Sequence, residues 1–246
     1  MSHTESEQIK QYVLKLIDAK DKDFARKTVE YFGVSKSTVY HYVKKMCEDG
    51  ILKKVEKPLP PYEIVTVTQK FHYENNGRLG EDRIFRADIL PLLNGYAPNV
   101  ISAWQYAFTA MMNNAIEHSS AQEITVLFAG NPLKTKILIT DNGIGIFKNI
   151  QAFLKKERDE DFTLDECVSL LFAGKFTTAK SCHSGEGIFF TSHLMDEFFI
   201  LSDGILFSRN NFADETIKSA EKIGGTAVSM SLNNQTKKTA KEVSHE

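Results

Sequence analysis

The sequence predicts an α+β fold in two domains, a small, mainly helical one and a larger α/β sandwich with helices on one face of a mixed sheet. Apolar residues recur at helical spacing through the first 50 residues. Residues 57–61 carry three prolines in four positions, which oppose both helix and central strand pairing. Strand and helix patterns then follow one another. We therefore expect domains over residues 1–57 and 62–234, a linker over 58–61 and a polar, frayed tail over 235–246.

Composition is that of a globular protein and gives no overall argument for nucleic-acid binding. Of the 246 residues, 42% are hydrophobic and 25% are charged, close to the average for soluble domains. The formal net charge is -2. Within residues 1–60, however, 12 Lys and Arg stand against 9 Asp and Glu, so the basic excess lies in the N-terminal domain.

Cysteine usage and hydropathy indicate a cytoplasmic protein. Cys47, Cys167 and Cys182 show no metal-binding spacing, so we expect free thiols in a reducing compartment. The first ten residues lack the apolar stretch of a signal peptide. No apolar run approaches the roughly 20 residues that a membrane span needs, so no membrane partner is expected.

The N-terminal domain is predicted to contain three helices. Apolar spacing predicts the first helix over residues 7–17 and the second over 24–32, which Gly33 ends. Ser35 is a good N-cap for a third helix that ends near Gly50. Two helices joined by a short turn with glycine are typical of a helix-turn-helix.

A strand over residues 51–56 and the extended segment from Tyr62 could form a wing, so the N-terminal domain resembles a winged helix-turn-helix domain. Such domains place the start of their last helix in the major groove of double-stranded DNA. The candidate DNA-contacting residues are Ser35, Lys36, Ser37, Tyr40, His41 and Lys44. The alternative is that this domain binds protein or forms a homodimer, with its lysines merely solvated.

The second domain alternates strand and helix patterns. Alternation predicts strands over residues 64–71, 124–128, 136–139, 198–201, 205–208 and 226–232. Helical spacing predicts helices over residues 100–118, 148–157, 163–172 and 187–195.

Three polar and glycine-rich motifs lie on these elements in a specific order. Asn113-Asn114-Ala115-Ile116-Glu117-His118 ends a helix, Asp141-Asn142-Gly143-Ile144-Gly145 follows a strand, and Gly185-Glu186-Gly187 precedes a helix. In that order and at that spacing they resemble the N, G1 and G2 boxes of the GHKL (Bergerat-fold) ATP-binding superfamily. The resemblance covers roughly residues 62–234 and implies ATP and Mg2+ as cofactors.

The chemistry of the first two motifs suits a nucleotide. An amide oxygen on a helix face can bind a hard cation while phosphates complete its shell, and by resemblance Asn114 is the Mg-ATP ligand. His118 contacts phosphate or, alternatively, a backbone carbonyl. Asp141 stands at a strand end, where its carboxylate could accept a hydrogen bond from the adenine amino group, and Gly143 and Gly145 allow close approach of the backbone.

The remaining motifs suit the phosphates. Gly185 and Gly187 open a helix whose unpaired N–H groups favour phosphate. Residues 174–181 read as a lid, in which Lys175, Thr177 and Thr178 could touch the phosphates or could simply be solvated. By resemblance, Thr226 at the start of the last strand supports the adenine-binding aspartate through water.

One element of the resemblance is missing. Four residues before Asn114, where hydrolytic members of the superfamily place a glutamate general base, this chain has Ala110. Alanine cannot orient or deprotonate water, so slow or absent hydrolysis is expected. There are three explanations: a naturally inactive nucleotide sensor, catalysis by a substitute base such as Glu117, or a deliberate change of glutamate to alanine that traps ATP. We favour the third as a hypothesis.

Two functions fit this combination of domains. One is a DNA-binding regulator whose ATPase-like domain senses nucleotide. The other is a serine/threonine protein kinase resembling the anti-sigma factors, acting on a small partner protein. The chain lacks the phosphoacceptor hairpin of sensor kinases in front of the ATPase domain, so a sensor kinase is not expected.

Overall fold

The structure is a computed structural model that describes residues 3–57, 60–159, 161–172, 187–210 and 213–239. The chain divides into two compact units: unit 1 is Met1–Val67 with Gly130–Lys134, and unit 2 is Thr68–Ala129 with Thr135–Glu246. The fold is α+β, with a large antiparallel sheet. Unit 1 extends past the boundary expected at residue 62, because the strand that begins at Tyr62 pairs within it.

Unit 1 is built from three helices and a short hairpin in its described part. The helices predicted over 7–17 and 24–32 are confirmed, and so is the third, which follows Ser35. The predicted pairing of a strand after Gly50 with the segment from Tyr62 is also confirmed, and that pair is antiparallel. The elements are α1 (His3–Asp18), α2 (Phe24–Phe32), α3 (Lys36–Glu48), β1 (Leu52–Lys54) and β2 (Tyr62–Ile64).

The turn between α2 and α3 is set by local chemistry. Gly33 ends α2 in the left-handed region, at φ +67°, and donates its N–H to the Val29 carbonyl. The Ser35 side chain then accepts the Thr38 N–H at 3.1 Å as the N-cap of α3. Val39, Val43 and Met46 form the buried face of α3.

Unit 2 packs helices against the large sheet. Its core is formed chiefly by α5, whose Ala103, Trp104, Ala107 and Phe108 are fully buried. The described elements are β3 (Val67–Glu74), α4 (Glu81–Ile84), α5 (Pro98–Asn113), β4 (Glu123–Gly130), β5 (Lys134–Asp141), α6 (Ile146–Arg158), α7 (Leu164–Phe172), α8 (Gly187–Leu194), β6 (Glu197–Ser202), β7 (Ile205–Asn210), β8 (Ala213–Ser219) and β9 (Thr226–Asn233).

Within the described residues the sheet has seven strands in the order β3-β4-β5-β9-β6-β7-β8. The sequence analysis predicted a mixed sheet. This prediction is wrong, because strands that are neighbours in the sheet run antiparallel to each other. β6 runs antiparallel to β9. β5 also runs antiparallel to β9, because Thr135 at the start of β5 contacts Asn234 after the end of β9, and Asp141 at the end of β5 contacts Thr226 at the start of β9. β5 and β6 therefore point the same way with β9 between them.

Three segments differ from the sequence prediction. The helix predicted over residues 100–118 stops being α-helical at Asn113 and continues as a wider π-helical turn, Asn114–His118. β8 was not predicted, and neither was α4 with the π-helical turn Phe85–Ile89 and the 3-10 turn Leu90–Leu93 that continue it.

The start of the expected tail is held in place. The Asn99 side chain donates to the Thr236 carbonyl at 2.8 Å and to the Lys238 carbonyl at 3.2 Å. The expectation of a frayed tail from residue 235 is therefore wrong for residues 236–238, while residues 240–246 lie outside the described part. Among the described helices, none combines the length and apolar character needed to cross a membrane.

Candidate functional site

The first predicted motif lies where α5 changes its geometry. Asn114 opens the π-helical turn and is half-buried. In the described part of the chain its side-chain amide makes no hydrogen bond. π-Helical turns are rare and are found frequently at functional sites. Asn114 is thus the C-cap of α5 through its backbone N–H, while its side-chain amide is not part of the buried core.

The same turn changes which residues share a face. The sequence analysis placed Ala110, Glu117 and His118 beside Asn114 by α-helical spacing. Because a π-helical turn has i→i+5 hydrogen bonds, it rotates the residues after Asn114 away from their α-helical positions. Glu117 is exposed, and the His118 carbonyl accepts a hydrogen bond from the Asn149 side chain at 2.9 Å. Glu117 stays a prediction as a substitute base, on a turn whose geometry differs from the α-helix that placed it beside Ala110.

Asp141 lies at the end of β5 in a half-buried setting. Its carboxylate accepts the Gly143 N–H at 2.9 Å and the Thr226 backbone N–H. Burial raises the pKa of Asp141, while these two hydrogen bonds lower it, and burial prevails. The predicted partners Asp141 and Thr226 are therefore in direct contact through the Thr226 backbone.

Two glycines allow the chain segments of the site to meet. A Cβ at Gly143 would lie 2.1 Å from the Ser119 carbonyl oxygen, just after the π-helical turn. A Cβ at Gly225, whose φ is +81°, would lie 2.0 Å from the Asp141 carbonyl oxygen. Any side chain at either position would force the backbones apart. Glycine is needed at these two positions for close approach between segments of the chain itself.

The helix that follows Gly145 has its N-terminus closed by side chains. The Ile146 N–H lies 3.1 Å from the Ser202 hydroxyl and 3.2 Å from the Thr226 hydroxyl. Phe147 and Lys148 both donate their N–H groups to one Asp203 carboxylate oxygen at 3.1 Å. The N–H groups of Ile146, Phe147 and Lys148 at the start of α6 are therefore each taken by a side chain.

Asp203 is a residue that the sequence analysis missed. It occupies the tight turn between β6 and β7, where the dipeptide Asp203-Gly204 is a recognisable hairpin signal. That signal predicts the turn, but it does not predict that the side chain caps a helix 56 positions earlier in the chain.

The start of α8 lies against α5. A Cβ built on Gly187 would be 3.3 Å from the Ala110 Cβ. The position at which the superfamily carries its glutamate therefore faces the helix start proposed for phosphate. Lys175, Thr177, Thr178 and Gly185, which complete the predicted phosphate contacts, lie outside the described residues.

All six candidate DNA-contacting residues of unit 1 are exposed. Two of them already have a role in the free protein: the Ser35 hydroxyl caps α3, and Lys44 lies 3.6 Å from Glu48. Tyr40 is 42% exposed although its ring packs edge-on against Phe24. The start of α3 thus presents lysine, histidine, tyrosine and serine side chains to solvent.

Comparison with protein-family models and with curated proteins found no match for this chain. Among the described residues, no group of three or more His, Cys, Asp or Glu side chains could hold a metal ion. The metal ligand named from the sequence, Asn114, is an amide and does not belong to such a group. The argument for function therefore rests on the geometry of the site.

Proposed function

We propose that unit 2 is a GHKL-type domain that binds Mg-ATP and that the protein couples its nucleotide state to DNA binding by unit 1. One observation carries the nucleotide half of this proposal. Three segments far apart in sequence converge: the end of α5, the loop over residues 141–145 and the start of β9. The links are the contacts of Gly143 with Ser119 and of Asp141 with Thr226 and Gly225.

The residues present fit a purine nucleotide. A half-buried carboxylate that already accepts two backbone N–H groups is suited to accept a further donor, the adenine amino group, at Asp141. The Asn114 amide, which makes no hydrogen bond within the described part of the chain, fits a magnesium ligand, and the ion would neutralise phosphate charge. Since the N-terminus of α6 is closed, the start of α8 at Gly187 is the helix start left for phosphate among these elements.

Hydrolysis is expected to be slow because position 110 carries no carboxylate. The Ala110 Cβ faces the start of α8, which supports this position as the site of a water-activating group. Glutamate there should raise the hydrolysis rate, by roughly 10²–10⁴-fold for a well-placed general base.

The experiment compares the chain carrying Ala110 with its Ala110→Glu variant in Mg-ATP binding and hydrolysis. We expect both to bind and only the glutamate variant to hydrolyse. Thr109→Glu is the matched control, because it adds the same side chain one position earlier, about 100° around the helix. Equal hydrolysis by both glutamate variants would remove the assigned role of position 110, and absence of ATP binding by the Ala110 chain would refute the nucleotide function.

The DNA half of the proposal is supported by unit 1. Its α2 and α3 are joined by a short turn, and the first two turns of α3 expose Lys36, Tyr40 and His41. Such side chains contact base edges and phosphates when a recognition helix enters the major groove. Coupling requires that DNA bind the ATP-bound and ATP-free states with different affinity. DNA titrations with and without Mg-ATP measure this difference, and equal affinities would exclude coupling.

A further inference from the structure

We propose that Asp203 is a positioning residue of the nucleotide site, holding the first turn of α6 so that the loop over residues 141–145 is shaped before nucleotide arrives. This inference rests on the proposed nucleotide-binding function. It adds a residue outside the three motifs, contributed by the turn between β6 and β7.

The position of Asp203 is fixed by its turn. Asp203 and Gly204 have φ values of +56° and +83°, and Ser202 pairs with Ile205 across them. Positive φ at both central residues defines the two-residue type I′ hairpin turn, which favours Asp or Asn followed by Gly. The hairpin thus holds the carboxylate at one place relative to the sheet.

The carboxylate is almost fully buried and is satisfied by α6. The Asp203 side chain is 3% exposed, and its oxygens accept the Phe147 and Lys148 N–H groups and lie 3.4 Å from the Lys148 Nζ. The Ser202 hydroxyl lies 3.1 Å from the same carboxylate. A buried carboxylate is costly unless it is hydrogen-bonded and paired, so these contacts act together.

The cap is connected directly to the loop. Gly145 is both the last residue of the loop and the N-cap of α6, and a Cβ there would lie 2.4 Å from an Asp203 carboxylate oxygen. The Ser202 hydroxyl also lies 3.0 Å from the carbonyl of Gly225, which packs on Asp141. The carboxylate therefore meets one end of the loop directly, at Gly145, and reaches the other end through Ser202 and Gly225. A loop that is already ordered does not pay its ordering entropy on binding.

The test measures the affinity of Asp203→Asn for ATP, ADP and adenosine. Asparagine keeps the type I′ turn but removes the charge and replaces one acceptor oxygen with an amide donor. Asp203 is proposed to shape the part of the site that binds adenine, which ATP, ADP and adenosine share. All three ligands should therefore bind about tenfold more weakly, each by the same factor. The backbone amide protons of Phe147 and Lys148 should also exchange faster with solvent in the variant.

The control for general destabilisation is Asp88→Asn. The Asp88 carboxylate accepts a hydrogen bond from the Tyr73 hydroxyl at 2.8 Å, away from the three motifs. Weakening this hydrogen bond should lower Tm and leave nucleotide affinity unchanged. An unchanged affinity in Asp203→Asn, or a loss confined to ATP, would overturn the role of Asp203. If the chain without this substitution binds none of the three ligands, the nucleotide function itself fails, and that measurement alone identifies the case.

Discussion

At the scale of single residues, Asp141 meets two opposing demands. Its place at the strand end is half-buried, which disfavours the charged carboxylate and raises its pKa. The proposed binding of an adenine amino group needs an acceptor there. A residue that is favourable for the ligand and unfavourable for the fold is typical of functional sites.

Asp141→Asn should separate these demands. Because the pKa of Asp141 is higher in the folded than in the unfolded chain, its contribution to stability is complete below the unfolded pKa of about 4 and is lost as pH rises through the folded pKa. At neutral pH the variant should therefore have an unchanged or higher Tm and bind ATP at least about tenfold more weakly. Thermal melts and titrations check both, and a lower Tm with unchanged affinity would contradict the assignment.

At the scale of elements, α3 shows how one residue can belong to both the fold and the proposed interface. Ser35 was predicted to be both an N-cap and a DNA contact. Its hydroxyl accepts the Thr38 N–H and also lies 2.7 Å from the Ser37 hydroxyl. The N-cap of α3 thus uses the same Ser35 hydroxyl that is proposed to contact a phosphate of the DNA backbone.

Ser35→Ala should destabilise unit 1 by about 1 kcal/mol, the usual effect of losing an N-cap. Ser37→Ala is the matched control, because it removes a neighbouring exposed hydroxyl that accepts no backbone N–H among the contacts described for α3. Chemical denaturation measures both variants. Equal destabilisation by the two would show that the cap contributes nothing beyond the local hydroxyl contacts.

Much of the element pattern could be predicted from sequence, because it depends on local periodicity and capping. The helices of unit 1 and the strands on either side of Asp203-Gly204 follow from such signals. β8 was missed because it is largely polar and lies at the sheet edge, so it lacks the alternation of a half-buried strand. The cap of α6 by Asp203 was missed because it joins distant parts of the chain, which local patterns do not encode.

At the scale of the whole molecule, the proposed function depends on electrostatics that the net charge conceals. The chain carries a formal net charge of -2, whereas residues 1–60 carry more basic than acidic side chains. Attraction to the phosphate backbone depends on the local cluster of charges and is weakened by salt.

Replacing Lys36 with glutamine should weaken DNA binding and reduce the slope of log affinity against log salt by about one. Lys218→Gln is the matched control, because it removes the same charge from an exposed position on β8 of unit 2. Binding titrations at several salt concentrations test the pair. An identical slope for both variants would place the phosphate contacts elsewhere than at the start of α3.

The insertion of β9 between β5 and β6 has a consequence for folding. In the described sheet, the strands β3-β4-β5 on one side and β6-β7-β8 on the other are joined through this late strand. β9 begins with Thr226, directly after Gly225, and these residues contact Asp141. During synthesis these contacts can form only after β9 has left the ribosome. We therefore expect the proposed nucleotide binding to be a late event that reports completion of the sheet.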